Sequence, residues 1–230
     1  LRFALAPTFE DHAMQFNTEN GPVDFECRQA IVAGWTGRDE KAVQHHIEEL
    51  AAIGIAPPSE VPLFYRVSNC LLTTNPQIEV LGGASSGEAE PLVLKRNGKL
   101  WLGLASDHTD RQLETISVAA SKQICAKPCA TALWDFSLLE PRLERIGIKS
   151  WIREGGDWTL YQDGTIGQIR PLKDLIAAAD LQDGSAMLCG TFAAIGGVRA
   201  AADFRATMTD PYTGAEISLE YTARALPEIN

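Results

Sequence analysis

EAEPLVLKRNGKLWLGLASDHTDR, which spans residues 88–111, contains the strongest structural signal in the chain. Two runs rich in Leu, Val and Trp flank the pair Asn97-Gly98. An Asn-Gly pair between two such runs is a strong signature of a tight β-hairpin, because both residues tolerate the positive φ angles of the turn. The segment therefore predicts two antiparallel strands that meet at residues 97 and 98.

Helical periodicity is confined to a few segments. The clearest is residues 39–54, in which apolar residues recur at helical spacing and Asp39 and Gly54 can cap the two ends. Weaker patterns predict helices at residues 110–125 and 172–179. Because the predicted helices are few, strands must supply most of the core.

The remainder of the chain consists mainly of short apolar runs separated by turn residues, which predicts strands. One such run is residues 187–197, and a polar stretch at residues 135–150 is expected to be a linker. Strands and helices do not alternate as they do in a parallel α/β fold. We therefore expect a mainly β fold with a few helices (α+β), in which residues 1–33 form an N-terminal strand region and residues 34–230 a single domain.

Composition and charge disfavour several classes of partner. Acidic residues outnumber basic ones by 30 to 20, and the resulting net charge of −10 disfavours binding to nucleic acid. No window has the roughly 18 uninterrupted apolar residues of a membrane helix, so no membrane partner is expected. The five cysteines are odd in number and lie mostly in apolar contexts, which is typical of reduced thiols in the cytoplasm.

Glu88-Ala89-Glu90 is a candidate metal-binding motif. Side chains two residues apart in a strand point the same way, so the two carboxylates lie together and need a counter-charge. After the predicted turn, the second strand runs back toward them and leads to Asp107 and Asp110. Three carboxylates suit Mg²⁺ or Mn²⁺, since hard cations prefer oxygen ligands. On spacing alone, a solvated strand face explains the two glutamates equally well.

The helix predicted at residues 39–54 contains two histidine–glutamate pairs. His45 can hydrogen-bond Glu48, and His46 can hydrogen-bond Glu49, because residues three apart share a helix face. A carboxylate that orients an imidazole is one way to build a general base. A solvated polar helix face is the alternative interpretation. A zinc site is disfavoured, because the segment lacks two histidines four residues apart.

The order of these motifs resembles that of the fumarylacetoacetate hydrolase superfamily, and more narrowly that of its DUF2848 branch. The resemblance covers roughly residues 31–200 and depends on the joint order, because each motif alone is short. Glu88-Ala89-Glu90 is similar to the superfamily's paired metal carboxylates, and SDHTDR, residues 106–111, is similar to its N-D-V-S-A-R. CGTFAAIGG, residues 189–197, resembles T-G-T-P-x-G-V-G.

This resemblance implies a mixed β-roll or barrel and a metal-dependent hydrolase, active as a homodimer. The implied substrate is an oxo-carboxylic acid similar to an acylpyruvate, whose C–C bond is hydrolysed through a metal-stabilised enolate. A decarboxylase, a hydratase, an isomerase, an amide or heterocycle hydrolase and a non-catalytic binding module stay open as alternatives. The implied cofactor is Mg²⁺ or Mn²⁺, with another divalent cation as an alternative. The implied residues are His46, Glu49 and Lys122 for catalysis, Arg66, Arg111 and Thr191 for substrate binding, and Glu88, Glu90 and Asp107 for the metal.

Departures from the superfamily pattern concern the substrate more than the metal. Ser106 and Arg66 stand where the pattern has Asn and Lys, and Gly34-Trp35-Thr36-Gly37 replaces Asn-Tyr. The interval between Glu90 and Asp107 is also shorter. These differences leave the metal motif intact.

The pattern alone does not decide between His45 and His46 as the base. The two residues lie about 100° apart on a helix, so both cannot face one pocket. We assign the role to His46, because Ile47 and Leu50 are expected to anchor that side of the helix against the barrel.

Overall fold

A computed structural model describes residues 12–52 and 57–229, except for the side chains of His46, Glu49, Leu50 and Ala52. The strands of the first half are β1 (His12–Thr18), β2 (Gly21–Cys27), β3 (Gln29–Gly34), β4 (Leu63–Val67), β5 (Leu72–Thr73), β6 (Gln77–Leu81), β7 (Ser85–Ser86), β8 (Ala89–Arg96) and β9 (Lys99–Ser106). Those of the second half are β10 (Thr109–Asp110), β11 (Lys127–Pro128), β12 (Trp134–Asp135), β13 (Gly147–Glu154), β14 (Asp157–Thr165), β15 (Ser185–Leu188), β16 (Asp203–Thr209) and β17 (Glu216–Leu226). The α-helices are α1 (Glu40–Ala52), α2 (Arg111–Glu114), α3 (Val118–Gln123), α4 (Phe136–Leu139) and α5 (Leu172–Ala178), and 3₁₀ turns lie at Asn69–Leu71, Glu140–Arg145 and Ile166–Gln168.

Two main sheets form the fold. The larger has the strand order β12-β9-β8-β15-β3-β4, and the smaller has the order β14-β13-β16-β17-β6. One apolar cluster joins them and contains Val93, Leu102 and Met187 of the larger sheet together with Ile152 and Phe204 of the smaller. The fold is therefore mainly β with few helices, which confirms the predicted α+β class.

A second apolar cluster lies on the opposite face of the larger sheet. Phe16 and Phe25, from the β1–β2 hairpin, belong to this cluster together with Leu92 and Leu94 of β8. Strand β8 is thus covered on both faces, which explains why its sequence is a continuous apolar run rather than an alternating one. Strand β3, from the predicted N-terminal strand region, lies inside the same sheet between β15 and β4.

The β8–β9 hairpin forms as the sequence predicts. Arg96 pairs with Lys99 across the turn, and Asn97 and Gly98 have φ angles of 51° and 73°. Positive φ at both central residues is what a type I′ turn requires. This turn sets the register along the whole hairpin, down to the acidic residues at its other end.

Helix α1 confirms the clearest helix prediction. The Asp39 carboxylate caps its start by accepting hydrogen bonds from two backbone N–H groups, at 3.0 and 3.1 Å. The predicted C-terminal cap, Gly54, lies outside the described residues. No helix in residues 12–52 or 57–229 is long and apolar enough to cross a membrane.

Three predicted elements differ from the structure. The helix predicted at residues 110–125 is divided into α2 and α3, because Ser117 adopts an extended conformation and its hydroxyl caps α3. The linker predicted at residues 135–150 contains α4, a 3₁₀ turn and the start of β13, because its apolar side chains join the core. The strand predicted at residues 187–197 ends at Leu188, because Gly190, with a φ of 94°, turns the chain out of the sheet.

Candidate active site

The three candidate metal ligands lie at the open end of the β8–β9 hairpin. The Asp107 N–H donates to the Glu88 carbonyl oxygen at 3.0 Å, which places Asp107 beside the Glu88-Ala89-Glu90 segment. Asp110, the alternative third ligand, instead uses its carboxylate to cap α2. Among the described residues, no three His, Cys, Asp or Glu side chains are arranged as a ready-made metal site. The register therefore brings the predicted residues together without gathering their carboxylates around one point.

Two lysines neutralise Asp107. The Lys122 Nζ donates to Asp107 Oδ2, and the Lys127 Nζ lies 3.1 Å from Asp107 Oδ1 while donating to the His108 carbonyl oxygen at 2.6 Å. Burial opposes ionisation of Asp107, but the two ammonium groups outweigh it and hold the pKa of Asp107 below its usual range. Sequence reasoning missed Lys127, although a lone lysine inside the apolar stretch 124–130 signals a buried charge.

Arg111 holds Glu88. Its Nη2 lies 3.1 Å from Glu88 Oε2, its Nε donates to Ser86 Oγ at 2.8 Å, and its Nη1 donates to Glu114 Oε2 at 2.9 Å. Burial raises the pKa of the Glu88 carboxyl, and the Arg111 charge opposes that rise. Because its three nitrogens all contact protein groups, Arg111 acts here as a support of the acidic segment.

Of the three cluster carboxylates, Glu90 has the fewest contacts that stabilise its negative charge. It is 2% exposed, and its Oε2 accepts a hydrogen bond from the Gly190 N–H at 2.8 Å. Among the described residues, no lysine or arginine forms an ion pair with it. Burial, and then repulsion from Asp107, raise the pKa of the Glu90 carboxyl well above its usual range, and the charge of Lys122 offsets only part of that rise. The site therefore contains a buried carboxylate that a bound cation would stabilise.

A buried network lies next to the cluster. His108 contacts Ser85 Oγ through Nε2 and Tyr221 OH through Nδ1, each at 2.8 Å, and Tyr221 OH also lies 2.9 Å from Ser106 Oγ. Burial, assisted by the charge of Lys127, lowers the pKa of His108 to about 3, so this imidazole is neutral at physiological pH. The network fixes the backbone from residue 106 to residue 108, and with it the position of Asp107.

The Thr191 side chain lies against the acidic segment. Its hydroxyl donates to the Ala89 carbonyl oxygen at 2.9 Å and accepts from Gln162 Nε2 at 2.7 Å. A threonine hydroxyl has one hydrogen to donate. While that hydrogen is bonded to Ala89, Thr191 Oγ1 can offer a substrate only an acceptor.

The structure brings Tyr65, rather than Arg66, to the cluster. The Lys122 Nζ lies 5.8 Å from the centroid of the Tyr65 ring. Arg66 is exposed and follows Tyr65 in β4, so its side chain points to the opposite face of the strand from that of Tyr65. The sequence analysis selected Arg66 because of its position in the motif. In the structure, the alternation of side chains along β4 places Tyr65, and not Arg66, on the face toward Lys122.

The predicted base lies on a sparsely packed helix. His46 and Glu49 are residues of α1, but their side chains lie outside the described part of the chain. His45 is exposed, and Ile47 is buried at 8% exposure. The backbone of α1 is thus in place, and the approach of His46 to the acidic cluster stays a prediction.

Gly190 makes a close approach that predicts a strong effect of substitution. A Cβ at this position would lie 1.7 Å from Thr36 Oγ1, and the φ of 94° is unfavourable for any other residue. We expect Gly190→Ala to lower the free energy of unfolding by about 3 kcal/mol, from the cost of positive φ plus that of overpacking. Denaturant unfolding measures this change.

The matched control is Gly197→Ala. Gly197 has a similar φ of 83°, but an added Cβ there would meet nothing within 4 Å. We expect this variant to lose about 1 kcal/mol, from the backbone conformation alone. Equal losses in the two variants would contradict the steric explanation for Gly190.

A family model matches most of the chain. The model described as "Protein of unknown function (DUF2848)" matches residues 33–221. This range contains the three candidate metal ligands, both buried lysines and Thr191. Among proteins with curated descriptions, none matches the sequence.

Several solved structures have a similar fold. Cg1458 with inhibitor is 17% identical with a TM-score of 0.66, and the match covers 90% of this chain and 81% of that one. Fumarylpyruvate hydrolase from Pseudomonas aeruginosa, in complex with Mn²⁺ and pyruvate, is 14% identical with a TM-score of 0.63, covering 98% and 100%. 2-Keto-3-deoxy-D-arabinonate dehydratase, complexed with magnesium and 2,5-dioxopentanoate, is 13% identical with a TM-score of 0.62, covering 91% and 78%. These proteins are members of the fumarylacetoacetate hydrolase superfamily, and the similarity confirms the predicted fold.

Proposed function

The chain belongs to the DUF2848 family, and we propose that it is a divalent-metal-dependent enzyme acting on a small oxo-carboxylic acid. The reaction we favour is hydrolysis of a C–C bond in an acylpyruvate-like substrate. Two proteins of similar fold support the substrate class, since one was solved with Mn²⁺ and pyruvate and the other with magnesium and 2,5-dioxopentanoate.

The observation that carries this proposal is the burial of Glu90 without an ion pair among the described residues. Lys122 and Lys127 neutralise Asp107, and Arg111 neutralises Glu88. Glu90 has the Gly190 N–H as a partner and is buried beside Asp107. A buried charge without a partner destabilises the fold, and a bound cation would offset that cost.

The residues present fit a hard divalent cation. Glu88, Glu90 and Asp107 would hold it, since carboxylate oxygens are the ligands that Mg²⁺ and Mn²⁺ prefer. When bound, the cation supplies Lewis-acid polarisation of a substrate keto oxygen. We expect the two buried lysines to keep Asp107 ionised and available for this role.

We assign the remaining steps to side chains around the cluster. Lys122 would neutralise negative charge that develops on the substrate, because its ammonium group lies at the cluster and faces the Tyr65 ring. His46, oriented by Glu49, would be the general base that activates water. Thr191 would contact the substrate as an acceptor or through its backbone. Arg111 would act mainly by fixing Glu88.

Turnover of an acylpyruvate tests the proposal. The protein, stripped of metal and then loaded with Mg²⁺ or Mn²⁺, is mixed with the substrate, and the release of pyruvate is measured. Pyruvate release that requires the cation supports C–C hydrolysis. Loss of CO₂ or of water from a panel of oxo-acids would instead identify a decarboxylase or a dehydratase. Cation binding with no turnover of any oxo-acid would indicate a non-catalytic binding module.

We also predict that α1 acts as a lid over the substrate. Most of its described side chains are exposed, which fits a helix that can move relative to the sheets. Hydrogen exchange of residues 42–50 is expected to slow when an oxalate-like ligand binds to the metal-loaded protein. Equal exchange with and without the ligand would reject the lid.

A homodimer located in the cytoplasm is part of the same proposal. Sedimentation of the purified chain tests the assembly. The described cysteines form no disulfide with one another, which is compatible with a reducing compartment.

A further inference from the structure

Strand β8 loses one neighbour at the acidic motif. It pairs with β15 as far as Leu92 opposite Leu188, and the Cys189 N–H then donates to the Pro91 carbonyl oxygen at 3.0 Å. Beyond that point the chain turns away at Gly190. The peptide groups of Ala89 therefore need other partners on this side, because buried backbone groups are rarely left without a hydrogen bond.

Two side chains supply those partners. The Ala89 N–H donates to Gln162 Oε1 at 2.8 Å, and the Ala89 carbonyl oxygen accepts from Thr191 Oγ1 at 2.9 Å. Gln162 Nε2 donates in turn to Thr191 Oγ1 at 2.7 Å. The three groups form a closed ring of hydrogen bonds around the residue that separates Glu88 from Glu90.

All four hydrogen-bonding sites of the Gln162 amide are used. Besides the bonds to Ala89 and Thr191, its oxygen accepts from Ser150 Oγ at 2.7 Å, and its nitrogen donates to the Phe192 carbonyl oxygen at 3.0 Å. The side chain is 0% exposed. An amide with every donor and acceptor matched has one favoured orientation, which makes it a rigid support.

A β-bulge aims Gln162 inward. The pairing of β13 with β14 shifts from Ser150 opposite Gln162 to Trp151 opposite Leu160, which leaves Tyr161 as the extra residue. Tyr161 and Gln162 are consecutive, and both are 0% exposed. In a regular strand one of the two would face outward, so the bulge is what turns Gln162 toward the larger sheet.

We propose that Gln162 is a positioning residue that acts through Ala89 and Thr191 to hold Glu88 and Glu90 in place for the divalent cation. This inference rests on the proposed function. Outer groups that orient metal ligands commonly change metal affinity by about 10- to 100-fold when removed.

The experiment compares four variants of the full chain. Gln162→Met removes all four hydrogen bonds at similar volume, and Thr191→Val removes the hydroxyl from the ring. Thr191→Ser restores that hydroxyl, and Ser150→Ala, the matched control, removes a bond to Gln162 that does not reach residues 88–90. Mn²⁺ dissociation constants are measured by calorimetry without substrate, and amide exchange at Ala89 is measured by NMR without metal. Denaturant unfolding confirms that each variant is folded.

We expect the Mn²⁺ dissociation constant to rise about 10- to 100-fold in Gln162→Met and Thr191→Val. Thr191→Ser is expected to bind Mn²⁺ more tightly than Thr191→Val, and Ser150→Ala to remain within about threefold of the unchanged chain. Amide exchange at Ala89 should accelerate at least about tenfold in Gln162→Met, while that at Leu92 stays the same, because opening is local.

Unchanged Mn²⁺ affinity in folded Gln162→Met and Thr191→Val would overturn the positioning role. Unchanged exchange at Ala89 in Gln162→Met would overturn the hydrogen-bonded ring itself. A different result separates this inference from the proposed function: if the unchanged chain binds no Mn²⁺, the proposed function fails and the metal-positioning role fails with it. The exchange at Ala89 then still decides whether the ring exists.

Discussion

Glu90→Gln is expected to abolish Mn²⁺ binding and to lower kcat/KM for the oxo-acid substrate by at least about 1,000-fold. The cation is worth several kcal/mol of transition-state stabilisation, and each 1.36 kcal/mol is a factor of ten in rate. Glutamine keeps the shape of the side chain and removes the charge that a divalent cation needs. Calorimetric Mn²⁺ titration and steady-state kinetics measure the two effects.

Stability separates this loss from misfolding. Because Glu90 is buried beside Asp107, its charge opposes folding of the metal-free protein, so Glu90→Gln should unfold at the same or a higher denaturant concentration. Glu154→Gln, at an exposed residue paired with Arg199, is the control and should change neither metal binding nor rate. Retained Mn²⁺ affinity in Glu90→Gln would remove Glu90 from the proposed ligand set.

The hairpin and its register were predictable because the information is local. Asn97 and Gly98 specify the turn, and the turn aligns the two strands residue by residue. Counting residues outward from this turn along both strands places Asp107 beside Glu88, and the structure confirms this pairing. Helix α1 was predictable for the same reason, since its periodicity and its Asp39 cap lie within one segment.

Partners that depend on tertiary contacts could not be predicted. Lys127 reaches Asp107 because α3 and the chain after it pack against the end of β9, and no pattern within residues 118–128 specifies that approach. Gln162 is turned inward by a bulge, which breaks the alternation on which sequence interpretation relies. The motif match placed Arg66 at the site without giving the phase of β4, in which Tyr65 is the residue whose ring lies near Lys122.

The arrangement of charges explains how a cluster of carboxylates is tolerated before any cation binds. Three cationic side chains each contact a cluster carboxylate through at least one nitrogen, and all three come from residues 111–127, which follow β9 and β10 in the chain. Glu90, which forms no ion pair within the part of the chain that the structure describes, accepts a hydrogen bond from the backbone N–H of a glycine whose conformation no other residue adopts easily. The hydrogen bond that Glu90 receives therefore depends on the backbone conformation at residue 190.

The second prediction with a large effect concerns the base. We expect His46→Ala to lower kcat by about 100-fold or more, as loss of a general base typically does, and to leave Mn²⁺ affinity unchanged. His45→Ala is the matched control, one residue away on the same helix, and should cost much less. Steady-state kinetics of the Mn²⁺-loaded variants measure both effects.

The exposure of the described residues of α1 favours this assignment. His45 and its i+3 neighbour Glu48 are both exposed, so this pair lies on the solvent side of α1. Ile47 is buried, so the helix face that includes it is turned toward the protein. Turnover that falls in His45→Ala and survives in His46→Ala would reverse the assignment. Survival in both variants would leave the acidic cluster as a metal site whose water is activated by another group, and Lys122 would be the next side chain to replace.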